Sequence, residues 1–96
     1  MSEESIQQED FEIEFQKACN FLEKNTKKFN DKQILKFYAL YKLSTVGKCC
    51  KESPSFLFWR RQQMWKAWKD LESKDIRNPK QMYIDYLSEQ FPTWKD

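Results

Sequence analysis

The sequence predicts an all-α protein, a four-helix bundle, on three observations. Apolar residues recur every three or four positions through most of the chain; one Gly and three Pro leave few turns; and Lys, Glu, Gln and Leu, all good helix formers, fill the segments between them. At 96 residues the chain is a single domain, near the size at which one hydrophobic core becomes sufficient. Residues 1–9 are polar and uncapped and are expected to form a flexible acidic tail, leaving residues 10–96 as the folded and functional domain.

From Asp10 onward, Phe11, Phe15, Ala18, Cys19 and Leu22 share one helical face, which predicts a first helix over about residues 10–25. Its acids crowd the start and Lys24 sits near the end, as the helix dipole favours. Residues 25–30 form a polar connector in which Asn30 or Asp31 can cap a second helix. That helix carries Ile34, Leu35, Phe37, Tyr38, Leu40 and Tyr41 to about Val46, and Gly47 supplies a left-handed stop. Residues 48–54 read as a long loop, with Ser53 held extended before Pro54. A third helix starts between Phe56 and Trp59 and places Trp65, Trp68 and Leu71 on one face, with Met64 beside Trp68; Ser73 or Asp75 ends it and caps the next helix. Pro79 fits if Asn78 is the N-cap and Pro79 the first helical residue, where its missing N–H is harmless, or if an earlier start tolerates it in the first turn. The fourth helix then carries Met82, Tyr83, Tyr86, Leu87 and Phe91 until Pro92 halts it.

The formal charge of +2 conceals an asymmetry. Residues 1–16 hold six acids and no Lys or Arg; removing those six from the fifteen acids leaves nine against seventeen basic residues, so residues 17–96 carry +8. Such a body attracts phosphates, nucleic acid or an anionic membrane surface. Aromatic residues make up 17% of the chain, a surplus that predicts rings facing a ligand or partner. Cys19, Cys49 and Cys50 form no CxxC pair, and their odd number argues against a disulfide framework and for a reducing compartment. Neighbouring Cys49 and Cys50 could pair only through a strained ring and are expected to be free loop thiols. No apolar run approaches the ~18 residues of a membrane span, and the acidic start lacks the basic and apolar regions of a signal peptide, so the expected address is cytoplasmic.

The absence of His removes Ser-His-Asp and Cys-His catalysis and the commonest metal ligand. Gly47-Lys48 lacks the upstream Gly of a phosphate-binding loop and follows a helix rather than a strand. The carboxylates lie on solvated faces rather than in apolar settings that would raise their pKa for acid catalysis. The chain is therefore expected not to be an enzyme and to use no cofactor and no metal. Binding remains. Tyr38, Tyr41 and Lys42 stand at i, i+3 and i+4 on one helical face, which suits a flat ring beside a phosphate, although a packing face with half-buried tyrosines has the same spacing. With Lys28, Arg60 and Arg61, the same groups could serve a nucleotide or single-stranded nucleic acid.

The stretches YALYKLSTVGK, MWKAWKDLESKD and MYIDYL closely resemble the acyl-CoA-binding protein family, collinear without gaps from about Phe15 to Tyr86. The motif YxxYKxxTVG and the pair WxAW, at Trp65, Ala67 and Trp68, carry the resemblance. It implies a skewed up-down-down-up bundle with a long crossover between helices two and three, and a monomeric intracellular carrier of long-chain fatty acyl-CoA with no catalytic step. It also implies roles: Tyr38 and Lys42 hold the adenosine 3′-phosphate, Tyr41 packs on the adenine, Tyr83 closes the site, Cys19, Ile34 and Leu35 line it, and Lys28 and Arg60 lie around the phosphates. Partners implied are the acyl-CoA itself and, transiently, a membrane surface or acyl-CoA-using enzymes; the alternative, a nucleic-acid or nucleotide-binding helical module, lacks a repeated basic-aromatic tract. The chain departs from the family at Met64, where a phosphate-contacting lysine is usual, and at Cys19, where a small alanine is usual. Arg60 or Arg61, one turn earlier, is expected to reach the vacant phosphate position while Met64 offers an apolar surface.

Overall fold

Helix boundaries follow the local chemistry of the chain. The computed structural model describes the backbone of residues 3–49 and 52–95, and side chains from residue 10 onward within that range. Helix α1 spans Glu3–Lys24 and so begins ahead of the start predicted near residue 10. That prediction rested on apolar periodicity, which starts only at Phe11; the preceding Glu and Gln residues favour helix by propensity, and acids suit its N-terminal end. A 3-10 turn, Thr26–Lys28, leads to α2, Asp31–Thr45. Asn30 caps α2 through a reciprocal box: its side chain accepts from the Gln33 N–H at 2.8 Å and the Gln33 side chain accepts from the Asn30 N–H at 2.8 Å. At the other end the Lys42 carbonyl accepts from both Val46 and Gly47 N–H groups, and Gly47 takes φ +95°, a conformation that residues with a Cβ rarely adopt.

A second 3-10 turn, Phe56–Phe58, is capped by the Ser55 hydroxyl, which accepts from the Leu57 N–H at 3.3 Å, and runs directly into α3, Trp59–Glu72. Helix α4, Pro79–Gln90, has Pro79 in its first turn and Asn78 accepting from the Gln81 N–H, as the sequence predicts. The break before α4 is made by Ser73 as the C-cap of α3 and by Asp75 in a left-handed conformation; neither caps α4. Among the described residues there is no strand.

Side-chain ties fix the direction of each helix. The Asp31–Arg60 ion pair, at 3.7 Å, joins the starts of α2 and α3, while the Trp68 indole donating to the Gly47 carbonyl at 2.9 Å and the Cys49 N–H donating to Glu72 at 2.8 Å join their ends. These two helices are parallel. Gln33 bonds Gln90, and Phe37 packs on Tyr83 and Tyr86, so α2 and α4 are antiparallel. Glu12 pairs with Lys80, Phe15 meets Tyr83 and Phe21 meets Phe91, so α1 and α4 are parallel. The order is therefore up-down-down-up, with a long crossover from α2 to α3.

The core gathers Phe15, Ala18, Phe29, Phe37, Leu40, Tyr83, Ile84, Leu87 and Trp94. Burying the larger of these side chains stabilises the fold by about 1.5–3 kcal/mol each. Trp94, to which the sequence assigned no role, folds back after Pro92 onto Phe21, and its indole donates to the Ser88 hydroxyl at 3.0 Å. A second buried cluster holds Ala39, Cys49 and Trp68. Cys49 is a free thiol in the loop after α2, as expected, and it is buried there, its N–H and carbonyl tied to Glu72 and Lys69 of α3. Cys50 lies outside the described residues.

Candidate functional site

The close helix pairings are α2 with α3, α2 with α4, and α1 with α4. Helices α1 and α2 are not among them. Between these two helices lies a cleft of about 350 Å³, lined by Gln16, Cys19 and Leu22 of α1, Ile34, Tyr38 and Tyr41 of α2, Met64 of α3 and Tyr83 of α4. A neighbouring cleft of about 650 Å³, lined by Tyr38, Pro54, Phe58, Arg61, Met64, Trp65 and Trp68, lies between α2, α3 and the crossover. Tyr38 and Met64 belong to both, so the two adjoin. Both volumes fall in the range of small-molecule sites.

The tyrosines differ sharply in setting. Tyr41 is 42% exposed, its ring stacked over Phe15 at 6.5 Å with 18° between planes, so one face is backed by the core while the other is open. Tyr83 is buried, edge-on to both Phe15 and Phe37. Burial, with a hydrogen bond from its hydroxyl to the Cys19 sulfur, pushes the phenol far above its ordinary range, so it stays neutral and serves as a donor. Burial likewise raises Cys19, opposed by that hydrogen bond; this thiol is a lining group rather than a nucleophile. Partial burial, and to a smaller extent Cys49, raise the Tyr38 phenol. The Lys42 ammonium lies 5.8 Å from the Tyr38 ring centre and 5.6 Å from that of Trp68, whose indole is held by the Gly47 carbonyl. An aromatic pair thus positions a cation beside a phenol.

Of the residues singled out in the sequence, Tyr38, Tyr41, Cys19, Ile34, Met64 and Tyr83 meet at the first cleft. Arg61 joins Tyr38 and Met64 at the second, its guanidinium 5.3 Å from the Phe58 ring centre. Lys42 stands next to both Tyr38 and Trp68. The others lie apart. Arg60 pairs with Asp31, Lys28 sits 5.0 Å over the Phe91 ring, and Leu35 lines a different depression with Ala39, Ala67 and Leu71. Sequence reasoning did not single out Phe58 or Trp65 as cleft residues; the signal was the aromatic density of the stretch 56–68. Among the described residues no cluster of three or more metal-ligating side chains is present, and no helix is long and apolar enough to cross a membrane.

The cleft system thus offers an open aromatic face, a phenol beside an ammonium, a second cation and an apolar channel between helices. The family model described as acyl CoA binding protein matches residues 12–87 of the chain. Similar curated proteins include acyl-CoA-binding domain-containing protein 6 of Bos taurus, 34% identical over 80 residues that cover 83% of this chain and 28% of the relative. Acyl-CoA-binding domain-containing protein 4 of Oryza sativa subsp. japonica is 37% identical over 60 residues, 62% of this chain and 18% of the relative. Acyl-CoA-binding protein 2 of Saccharomyces pastorianus is 38% identical over 55 residues, 57% of this chain and 63% of the relative. The chain therefore spans less than a third of the length of the first two relatives.

Proposed function

This chain belongs to the acyl-CoA-binding protein family, and from that premise we propose that it binds long-chain fatty acyl-CoA esters as a cytoplasmic, monomeric carrier with no catalytic step. The observation that supports this reading best is the junction of two clefts at Tyr38 and Met64, one lined by the phenols of Tyr38, Tyr41 and Tyr83 and the other by Trp65, Trp68, Phe58 and Arg61, with Lys42 beside Tyr38 and Trp68. An acyl-CoA offers partners for these groups: anionic phosphates for the cations, a flat adenine for an aromatic ring and methylenes for the apolar walls. In this reading Tyr38 and Lys42 hold the 3′-phosphate, the open face of Tyr41 stacks on the adenine, and Arg61 reaches the phosphate that a lysine at position 64 would otherwise contact. Tyr83 and Cys19 form the floor between α1 and α2. Lys28 and Arg60 act at longer range on the phosphates, and Leu35 contributes by packing α2 on α3. Cargo passes to and from membranes or acyl-CoA-using enzymes with its thioester intact. The family match favours this reading over the nucleic-acid alternative.

Calorimetry of free CoA against its long-chain ester tests it. Shielding four methylenes at about 0.8 kcal/mol each makes the ester bind roughly two-hundredfold more tightly, with a negative heat-capacity change. Equal affinities would mean that the chain stays in water and would overturn the carrier reading.

A further inference from the structure

Four consecutive large apolar residues project from the 3-10 turn and the first residue of α3: Phe56 is 78% exposed, Leu57 73%, Phe58 54% and Trp59 63%. The other exposed large apolar side chains, Ile13, Tyr41, Val46 and Met82, are scattered singly, which is ordinary for a protein surface. A contiguous run is not ordinary, and marks a contact surface. Up-down-down-up topology sets what surrounds it. The end of the bundle that carries this run also holds the end of α1, the starts of α2 and α3 and the end of α4, so Lys24, Lys27, Lys28, Lys32, Arg60 and Arg61 gather there. Among the described residues, the carboxylates at that end are Glu23, Asp31, Glu52 and Glu89, and Asp31 is already paired with Arg60.

We propose that the tip formed by Phe56, Leu57, Phe58 and Trp59 docks on anionic lipid bilayers, inserting its rings at the headgroup level while the surrounding cations meet lipid phosphates and carboxylates. Exposed Trp, Phe and Leu side chains ringed by lysines are the chemistry of a membrane interface, whereas lysine is depleted at protein–protein contacts. A short apolar insertion and a modest basic surface are each weak alone, and their sum gives reversible attachment. Phe58 and Arg61 line the larger cleft as well as this end, so docking brings the mouth of that cleft to the bilayer surface. Transfer of an acyl chain through that mouth rests on the proposed carrier function; docking does not.

The test is co-sedimentation of ligand-free protein with vesicles of phosphatidylcholine, with and without phosphatidylserine. The expected result is binding to the serine-containing vesicles that falls as salt is raised, and that is weakened roughly tenfold or more in a Phe56→Ser, Leu57→Ser, Trp59→Ser variant. Those three side chains line neither cleft, so the variant keeps its helical circular dichroism and its affinity for acyl-CoA. No vesicle binding by the unaltered chain, or equal binding by the variant, overturns the proposal; so does a dimer in size-exclusion chromatography that the variant abolishes while vesicles remain unbound. Vesicle binding without any acyl-CoA binding would leave the docking surface standing and remove the carrier function.

Discussion

Replacing Arg61 by Ala and, separately, Arg60 by Ala asks which of two neighbouring cations serves the position vacated at Met64. Their settings differ although their sequence positions are adjacent. Arg61 stands on the cleft wall with Tyr38 and Met64, its guanidinium laid over Phe58, whereas Arg60 is turned toward Asp31 at the start of α2. A charge-assisted hydrogen bond to a phosphate is worth about 1.5–3 kcal/mol, so Arg61→Ala should raise the Kd for acyl-CoA by roughly ten- to 150-fold. Arg60→Ala removes an exposed ion pair worth about 0–1 kcal/mol and a longer-range attraction, and should change the Kd by no more than about fivefold. Met64→Lys placed in the Arg61→Ala background should recover most of the loss. Calorimetry with the long-chain ester reads all of these affinities, and thermal unfolding of each variant separates lost binding from lost folding. A loss from Arg60→Ala equal to or larger than that from Arg61→Ala would refute the assignment drawn from the cleft wall. So would an Arg61→Ala variant with unchanged affinity.

The buried Tyr83 phenol predicts alkaline sensitivity. Its pKa in the folded chain is raised above the ordinary value of 10.0, so its contribution to stability is fully present below that value and is lost as pH rises beyond it toward the folded pKa. The urea midpoint should fall above about pH 10, Tyr38 and Tyr86 acting in the same direction, and Tyr83→Phe should flatten the fall; an identical alkaline slope in the variant would contradict the burial argument. Trp68→Phe leaves the Gly47 carbonyl without its indole donor and a gap in the cluster with Ala39 and Cys49, at a combined cost of about 2–4 kcal/mol. The melting temperature should drop by roughly ten degrees or more, and an unchanged melt would show that the ring does not secure the crossover.

Helix boundaries were legible where they are written in a few adjacent residues. Asn30 with Gln33, Gly47, and Asn78 with Pro79 each act through bonds or dihedral limits within one turn, and the structure uses every one of them. The start of α1 was not legible from periodicity, since Glu and Gln extend a helix without marking a face. Trp94 was missed because its burial depends on Phe21, far away in the chain. At the site, the face carrying Tyr38 and Tyr41 could be read from spacing, and Ile34 extends it. Leu35 and Ala39, although interleaved with those residues, turn toward α3, and no single-helix pattern distinguishes a face that lines a cleft from one that packs. The same holds for Arg60 and Arg61, whose separation into an ion pair and a cleft wall is decided by where Asp31 and Phe58 come to rest. Helix direction came from the family resemblance alone, because periodicity is blind to it.

The parallel course of α2 and α3 has a consequence for how the protein comes into being. After α2, 15 residues long and so about 22 Å, the chain must travel back the same distance before α3 can dock beside it, and the terminal helices α1 and α4 then close on each other. Contacts this distant in sequence slow folding relative to a bundle whose consecutive helices simply turn back on themselves. On a ribosome, α1 and α2 emerge with the phenols of one cleft already in order but with no floor beneath them, since Tyr83 arrives only with the last helix. Until then the core side chains Phe15 and Phe37 lack the ring they will share, and stay open to the aggregation and chaperone capture that await any unfinished chain.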